Sequence, residues 1–366
     1  MTILVSIVAF LIVIVVLILV HEVGHFVMAK ASGVGVEEFG LGFPPRLLRI
    51  KRGETLYSLN AIPLGGFVKM AGEEDPDVPR SLASKRIGTR LLILSAGSLM
   101  NLLLPLLLFS ISFMIPHNTL VGQVMVLEVV PDSPAARAGM RAGDTILRIN
   151  DKPVNNYADV FRYIQINLGN EIVISVQHSD ATTENVQVIP RWNPPENQGA
   201  IGVVTSTSDA TIVRRSDPFW RAIPMGVGAC IETFILVKNG IVSIIIGVIT
   251  AEGPAEGAGE IPAKVTGPVG IARLTGEVAK AGISPLPEFA AFISINFGII
   301  NLFPLPALDG GRIAFVLLEA VRRGKRIAPK TEGLIHLIGF ALLIVFLLAI
   351  TYQDIMRIVS GESIIP

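Results

Sequence analysis

The chain has 366 residues, of which 51% are hydrophobic and only 16% are charged, and its formal net charge is zero. A soluble domain of this length needs more polar surface, so the composition indicates membrane spans. The zero net charge gives no reason to expect a nucleic-acid partner. The single cysteine, Cys230, excludes an intramolecular disulfide framework and is interpreted as a small buried hydrophobic residue.

Four stretches are long and apolar enough to cross a bilayer, which requires roughly 20 residues. The first resembles a signal peptide in length, but it has no basic leader and no small-residue cleavage site. We therefore interpret it as a retained helix. The predicted transmembrane helices cover 3–28, 91–115, 286–308 and 333–352.

The segment between the first two predicted spans is rich in glycine, proline and basic residues. Its short alternating runs predict membrane-associated β-hairpins, in a loop at 33–75, rather than helix. A second basic cluster precedes the last span, at Arg322, Arg323, Lys325 and Arg326. By the positive-inside rule, both basic loops are cytoplasmic and the N-terminus lies outside.

The segment 119–205 has the composition of a soluble domain. It predicts a strand near Leu127, a short helix with Ser133 as N-cap and Gly139 as stop, a strand ending near Asn150, and then a second helix and strand. This order, and the run Ser-Pro-Ala-Ala-Arg-Ala-Gly-Met-Arg-Ala-Gly-Asp-Thr-Ile-Leu-Arg-Ile-Asn, resembles a PDZ domain. An unrelated small α+β domain is the alternative. PDZ domains bind extended peptides at a sheet edge, so we expect a peptide or extracytoplasmic substrate segment to bind here.

His21, Glu22 and His25 form an H-E-x-x-H motif directly after the first apolar run. On a helix the two histidines lie one turn apart on the same face, where both can bind one zinc ion. Zinc lowers the pKa of a bound water towards about 7, and the glutamate is suited to take its proton during peptide hydrolysis. The alternative is a structural pair of histidines at a helix end, but ionisable residues next to a span are usually functional.

A catalytic zinc ion needs a third protein ligand. His117 and His178 lie in or beside the PDZ-like segment, and His336 is on the last predicted span. Asp309 is the stronger candidate, because two prolines interrupt the helix before it. Irregular backbone at membrane depth must be buried or line a cavity. The alternative role for Asp309 is the N-cap of a helix over 310–321, and one residue can serve both purposes.

The H-E-x-x-H motif, the PDZ-like insert and the run Asn-Leu-Phe-Pro-Leu-Pro-Ala-Leu-Asp-Gly-Gly that ends at Gly311 together resemble the site-2 protease family of intramembrane metalloproteases. The resemblance covers essentially the whole chain. It is greatest to the bacterial branch that activates sigma factors by cutting anti-sigma proteins. It implies that His21, His25 and Asp309 bind one zinc ion and that Glu22 is the catalytic base.

The resemblance extends to two further elements. The run from Gly97 to Asn101 is similar to the family's Gly-x-x-x-Asn element, although the family usually has proline after the glycine. Gly66 and Phe67 lie in a run that resembles the hairpin beside the active site. A substrate helix must be unwound before it is cut, so Gly66, Phe67 and the amides of Asn101 and Asn301 are candidates for substrate binding. An interhelical hydrogen bond is the alternative role for each asparagine.

A fifth apolar stretch, 222–251, is broken by Glu232, Lys238 and Gly240. A single crossing here would bring Asp309 out on the side opposite to the histidines, across about 30 Å of hydrocarbon. Zinc–ligand bonds are only about 2 Å long. We therefore predict that 222–251 is an interfacial or re-entrant helix.

The predicted fold is a multi-span α-helical membrane protein with four transmembrane helices, membrane-associated β-hairpins and one inserted α+β PDZ-like domain. The membrane core comprises 1–118 and 206–366. The expected function is zinc-dependent hydrolysis of transmembrane protein substrates in the lipid bilayer, with anti-sigma factors or signal-peptide remnants as expected substrates. The alternative is a non-catalytic adaptor that holds partners on its PDZ-like domain. The expected location is the bacterial inner membrane, with the active site near the cytoplasmic side and the PDZ-like domain outside.

Overall fold

The structure is a computed structural model that describes residues 2–73, 75–195, 198–250 and 267–360. The chain forms two compact units, one of Met1–Ser112 with Thr266–Ile364 and the other of Phe113–Val265. In chain order the elements are α1 (Thr2–Ala31), β1 (Val36–Arg52), β2 (Thr55–Met70), α2 (Ile87–Met114), β3 (His117–Val129), α3 (Pro134–Arg137), β4 (Thr145–Ile149), β5 (Lys152–Pro153), α4 (Tyr157–Gln165), β6 (Ile172–Gln177), β7 (Thr183–Val188), β8 (Val203–Arg215), α5 (Phe219–Thr250), α6 (Pro268–Lys280), α7 (Pro285–Leu302), α8 (Asp309–Val321) and α9 (Pro329–Ser360).

Five of the described helices are long and apolar enough, by length and composition, to cross a membrane: α1, α2, α5, α7 and α9. Four of them belong to the first unit and correspond to the four predicted spans. The prediction that the third span extends to residue 308 is wrong, because α7 ends at Leu302. Pro304 and Pro306 follow, and neither can donate a backbone N–H to a continuing helix.

Three contacts place one set of helix ends together in the first unit. The Ser112 hydroxyl at the end of α2 donates to the Ser284 carbonyl just before α7, at 3.2 Å. Helix α6 lies beside the start of α1, since a Cβ on Gly276 would meet the Ser6 side chain. The carboxylate of Asp354, near the end of α9, accepts from the first turn of α6 at Gly270 N, at 2.8 Å. The start of α1, the end of α2, the start of α7 and the end of α9 therefore share one end of this unit.

The predicted hairpin loop forms a small antiparallel sheet from two long, bent strands. Residues 38–41 of β1 pair on one side with 56–59 of β2 and on the other side with 66–69 of the same strand. The tip of the sheet exposes Phe43, Leu47, Leu48 and Ile50. The segment 66–69 is an edge, because β1 is its only strand partner among the described residues.

The second unit contains a six-stranded sheet with the order β7-β6-β4-β3-β8, to which β5 adds beside β4. Its core is mainly aliphatic and includes Val124, Ile146, Ile172 and Ile174. The predicted N-cap and stop of the short helix in this segment are confirmed. Ser133 Oγ accepts from Ala136 N at 3.1 Å as an N-cap, and Gly139 has a φ of 90° after the short helix.

This sheet extends beyond the predicted boundaries at 119 and 205. Strands β3 and β8 pair from Val129 with Val203 to His117 with Arg215. Residues paired in this way across antiparallel strands have Cα atoms about 4.5–5.5 Å apart. The two ends of the inserted module are therefore adjacent.

Helix α5 is continuous from Phe219 to Thr250. A re-entrant hairpin needs a turn within the segment. The prediction that 222–251 is re-entrant is therefore wrong over its described residues. Gly240 and the charged side chains do not interrupt the helix, since an isolated glycine costs only about 1 kcal/mol relative to alanine. The interfacial helix stays a prediction. Residue 251 lies outside the described residues.

The packing of α1 against α2 generates a test with a matched control. A Cβ on Gly24 would lie 2.4 Å from the Ala96 carbonyl oxygen, whereas a Cβ on Gly88 meets nothing within 4 Å. We expect Gly24→Ala to destabilise the protein by about 1–3 kcal/mol through overpacking. Gly88→Ala, in the same helix pair, should leave stability unchanged or slightly raised. Thermal unfolding in detergent micelles measures both, and equal midpoints for the two variants would contradict the close approach.

Candidate metal centre

Three side chains from α1 and α8 converge on one point. His21 Nε2 lies 3.0 Å and His25 Nε2 lies 3.1 Å from Asp309 Oδ2, and the two Nε2 atoms are 3.2 Å apart. Both histidines are buried. The helical spacing of the motif puts the two imidazoles one turn apart on one face of α1, as predicted. Among the described residues, these three are the one cluster of His, Cys, Asp or Glu side chains that could hold a metal ion.

The spacing and chemistry of this group fit zinc. Zinc in proteins is usually tetrahedral, with nitrogen and oxygen ligands at about 2.0–2.2 Å. The edges of such a tetrahedron are about 3.3 Å long, close to the three distances of 3.0–3.2 Å between the donor atoms. Two imidazoles and one carboxylate leave the fourth position open, which is the arrangement of a catalytic rather than a structural site.

Each imidazole is held from behind by its second nitrogen. The Nδ1–H of His25 donates to the Ile93 carbonyl at 2.8 Å, which leaves Nε2 as the free ligand atom. His21 Nδ1 lies 3.3 Å from the side-chain amide nitrogen of Asn101. The amide oxygen Oδ1 of Asn101 has no partner among the described residues. Rotating the amide by 180° lets Oδ1 accept from His21 Nδ1–H and satisfies both groups, since amide orientation is an assignment.

Gly97 makes room for the two histidines. A Cβ at this position would lie 2.3 Å from His25 Nε2 and 2.8 Å from His21 Cε1. Gly97 and Asn101 are one turn apart on α2, so one face of this helix both admits the imidazoles and orients one of them. This gives a physical reason for the Gly-x-x-x-Asn spacing.

Asp309 is presented by a folded-back loop between α7 and α8. The N-cap of α8 is Leu308 and has no side-chain capping hydrogen bond, so the alternative of Asp309 as N-cap is wrong. The carboxylate instead points at the histidines. A Cβ on Gly310 would lie 2.0 Å from the Phe303 carbonyl oxygen, so the tight turn requires glycine there. The loop is also fixed from α9, where His336 Nδ1 accepts from Ala307 N at 3.1 Å.

The remaining histidines are not brought to this centre. His336 supports the loop, as described above. His117 and His178 belong to the second unit. His178 lies between Asp144 and Glu184, at 2.7 and 3.1 Å, and hydrogen bonds to these two carboxylates raise its pKa above the usual value.

A cavity of about 300 Å³ adjoins the three converging side chains. Glu22 borders it, next to the histidines with which it shares α1. Strand β2 forms one wall, and Gly66 packs directly on the glutamate, since a Cβ there would lie 2.8 Å from Glu22 Cγ. The full lining consists of His21, Glu22, His25, Gly66, Phe67, Val68, Lys69, Met70, Glu73, Leu94, Asp309 and Arg312.

The four residues expected to bind substrate divide into two pairs. Gly66 and Phe67 line the cavity, whereas neither asparagine is among the described lining residues. Asn101 is fully buried behind His21. Asn301 donates to the Phe297 carbonyl in its own helix at 3.0 Å. The geometry therefore favours a positioning role for Asn101 and a structural one for Asn301.

Sequence reasoning missed a second charged pair in the cavity. Arg312 lies one turn after Asp309 and forms an ion pair with Glu73 at 2.8 Å. The signal for Arg312 was its spacing of three residues from Asp309, which puts both on one face of α8. Nothing in the sequence pattern linked it to Glu73, which follows β2.

Comparisons with known proteins agree with this chemistry. Residues 9–346 match the model of Peptidase family M50. The chain is 36% identical to a candidate zinc metalloprotease of Clostridium acetobutylicum, over 93% of this chain and 94% of that protein. It is 28% identical to the zinc metalloprotease RasP of Oceanobacillus iheyensis, over 96% and 99% of the two chains. It is 27% identical, with the same coverage, to the regulator of sigma-W protease RasP of Bacillus subtilis.

The contact between Asn101 and His21 generates the second test. Outer partners of metal-binding histidines typically change metal affinity about 10–100-fold when removed. We expect Asn101→Ala to weaken zinc binding by about that factor. Asn301→Ala is the matched control and should bind zinc like the unmodified protein, because the amide of Asn301 donates to the Phe297 carbonyl of its own helix and, among the described residues, is not in contact with the metal centre. Competition with a zinc chelator measures both affinities. Equal zinc affinities of the two variants would contradict a positioning role for Asn101.

Proposed function

Because the chain belongs to peptidase family M50, the site-2 protease family of zinc metalloproteases, we propose that it cuts membrane proteins in or near their transmembrane segments. His21, His25 and Asp309 are the proposed zinc ligands and Glu22 the proposed base. The observation that carries the proposal is the convergence of these ligands, beside Glu22, at the end of the apolar run of α1. A peptide bond reaching this site must come from the membrane or from its immediate surface.

The chain's own residues divide the chemistry between them. Zinc, when bound, polarises the scissile carbonyl and lowers the pKa of the attacking water. The carboxylate of Glu22 takes the proton from that water and then delivers it to the nitrogen of the leaving amine. Gly66 keeps the glutamate beside the cavity, because no side chain intervenes between β2 and Glu22 Cγ.

The edge of β2 supports an extended mode of substrate binding. Segment 66–69 pairs with β1 on one side, and no other described strand pairs with it. Gly66 and Phe67 in this segment also line the cavity. An extended peptide can hydrogen-bond to such an edge. The interior of an intact substrate helix has no free backbone groups, so we propose that the substrate unwinds before it binds here.

The arrangement of helix ends supports four crossings. The end of α2 and the start of α6 and α7 share one end of the first unit. The chain between them therefore returns to the side it left. If α5 crossed, a second crossing would have to lie within 251–266, which has only 16 residues and contains Glu252, Glu256, Glu260 and Lys264.

The distribution of basic residues supports the proposed orientation. The basic residues after α8, from Arg322 to Arg326, lie at the end of the first unit opposite the Ser6 end, because α9 runs from one end to the other. The positive-inside rule makes that end cytoplasmic. The metal centre then faces the cytoplasmic side and the PDZ-like module lies outside, in a bacterial inner membrane. The Bacillus relative is named a regulator of sigma-W protease, so we propose a membrane-bound transcription regulator as the substrate class.

The proposed base generates the third test. We expect Glu22→Gln to keep zinc, because all three ligands remain, and to lose cleavage of a model transmembrane substrate by about 10²–10⁴-fold, because the proton acceptor is gone. His21→Ala should lose both zinc and cleavage. Glu171→Gln, an exposed carboxylate of the second unit, is the matched control and should keep both. Near-normal cleavage by Glu22→Gln would refute the assignment.

The inserted module is proposed to select substrates and to do no chemistry, since every described residue of the metal centre belongs to the first unit. A non-catalytic adaptor that uses this module to hold partners is not favoured, because Glu22 and the complete ligand group are present.

Excision of the module generates the fourth test. Its ends at His117 and Arg215 are paired neighbours, so a short flexible linker can replace residues 117–215. We expect the shortened protein to bind zinc normally and to cut a broader set of membrane proteins. Zinc content and comparison of cleaved fragments are the measurements. Loss of zinc would show that the module is needed for the core fold.

A further inference from the structure

The edge of β2 that borders the metal cavity ends at one hydrogen bond. On the side of β1, Ala71 N donates to the Gly35 carbonyl at 2.8 Å. Met70 N points to the other side and donates to Glu73 Oε1 at 3.1 Å. Peptide groups alternate sides along a strand, so Val68 presents its N–H and C=O on the same side as Met70. The part of this edge that can pair with another strand therefore stops at Val68.

Arg312 on α8 holds the Glu73 side chain in this position. Its guanidinium lies 2.8 Å from Glu73 Oε2, while Oε1 accepts from Met70 N. Arg312 follows Asp309 by three residues, which is about 4.5 Å along the helix axis. One turn of α8 therefore carries both a proposed zinc ligand and the residue that fixes the end of the edge.

The ion pair of Glu73 and Arg312 also borders two cavities. Both side chains line the cavity of about 300 Å³ beside the metal centre, and both line a smaller cavity of about 30 Å³. The smaller cavity has room for about two water molecules. It is too small for a further residue of a bound peptide. An extended peptide in the larger cavity therefore meets the ion pair as the end of its path.

The strand between the proposed base and the ion pair has a fixed length. Gly66 packs on Glu22, since a Cβ at Gly66 would lie 2.8 Å from Glu22 Cγ. Met70 lies four residues later, which is about 13 Å along the strand. A peptide that pairs along this length has its position relative to the metal centre set by where the edge ends.

We propose that Glu73 and Arg312 end the substrate-binding edge and thereby set the register in which an extended substrate segment passes the metal centre. This inference rests on the proposed binding of substrate to the edge of β2, and it adds the residues that decide which peptide bond is cut. Because Met70 N is already occupied, the substrate pairs with Gly66 and Val68 and not with Met70. A slip by one residue would turn every substrate side chain to the other face, so the nearest alternative register is two residues away.

The position of the cut tests this register. The full chain, loaded with zinc in phospholipid vesicles, acts on a synthetic single-span peptide with an apolar run of about 20 residues, and mass spectrometry identifies the cut bond. We expect one bond for the unmodified protein. Glu73→Ala frees Met70 N, so a second cut should appear two residues from the first. Arg312→Gln loosens the Glu73 side chain and should give the same second cut as a smaller fraction.

Three observations separate this role from a general effect on stability. Glu73→Gln should keep the single cut, because its amide oxygen can accept from both Met70 N and Arg312. Glu54→Ala also removes a carboxylate that pairs with an arginine, Arg80, but it is not among the described lining residues of the cavity and should keep the single cut. Exposed ion pairs contribute little to stability, so Arg312→Gln should bind zinc normally.

One unchanged bond in both Glu73→Ala and Arg312→Gln would overturn the register role. The cleavage itself would still support the proposed function.

A cross-link detects the register without cleavage. In a protein with Cys230→Ala and Glu22→Gln, a cysteine replaces Lys69, which is exposed on the edge, and single cysteines are placed along the peptide. We expect a disulfide with one peptide position, and with a second position two residues away once Glu73→Ala is added. Equal patterns with and without Glu73→Ala would overturn the register role.

The cross-link also separates this inference from the proposed function. A disulfide at no peptide position would overturn substrate binding at the edge of β2, and the register role with it. The expected change of pattern, combined with no cleavage by the unmodified protein, would refute the proposed proteolysis and leave the register role of Glu73 and Arg312 supported.

Discussion

The contact of one carboxylate with two imidazoles constrains the whole first unit. His21 and His25 meet Asp309 across sequence separations of 288 and 284 residues. Polar and ionisable groups beside apolar helices are costly unless each has a partner. The Ile93 carbonyl and the Asn101 amide meet that requirement for the imidazoles, so α2 has to pack closely on α1. The loop between α7 and α8 then has to place Asp309 beside the two histidines of α1.

Glycine residues leave the room that these groups need, because they let neighbouring backbone approach closely. Gly97 lets α2 approach the imidazoles, and Gly66 lets β2 approach Glu22. In both places a single methyl group would overlap a side chain of the cavity. Small residues thus do for this site what they do generally between membrane helices, where close approach replaces the hydrophobic effect as the source of packing. The functional groups and the glycines that admit them are one arrangement.

Much of the site could be predicted from sequence because its parts are local patterns. The spacing of His21 and His25 fixes their common face on any helix, and the prolines before Asp309 indicated the break that presents it. The contact of Asn101 with His21 could not be predicted in the same way. It depends on how α2 is rotated against α1, and a pattern within α2 does not contain that rotation. The pair Arg312 and Glu73 was missed for the same reason.

The fold shows the same division between local and long-range information. Ser133 and Gly139 begin and end their short helix as expected, because caps and turns depend on neighbours in sequence. The pairing of β3 with β8 joins residues 74–98 positions apart. No local signal marks how far such a ladder continues, so the predicted boundary at 205 lies before the end of β8. The residues stay uncharged up to 308, which predicts too long a third span, because the helix itself ends at Leu302.

Helix α5 shows why apolar length alone does not determine a crossing. Its composition is that of a span, and the same measure that identifies α1 and α9 identifies α5. Composition treats Glu232 and Asn239 as isolated polar residues, and two such residues in a long apolar helix are tolerated. In the structure Glu232 forms an ion pair with Lys152, and Asn239 donates to the Gln165 carbonyl, so both side chains contact the unit that contains the six-stranded sheet. A helix that is packed against other residues along one face does not have lipid on all sides, so its apolar length has to be weighed against what its few polar residues contact.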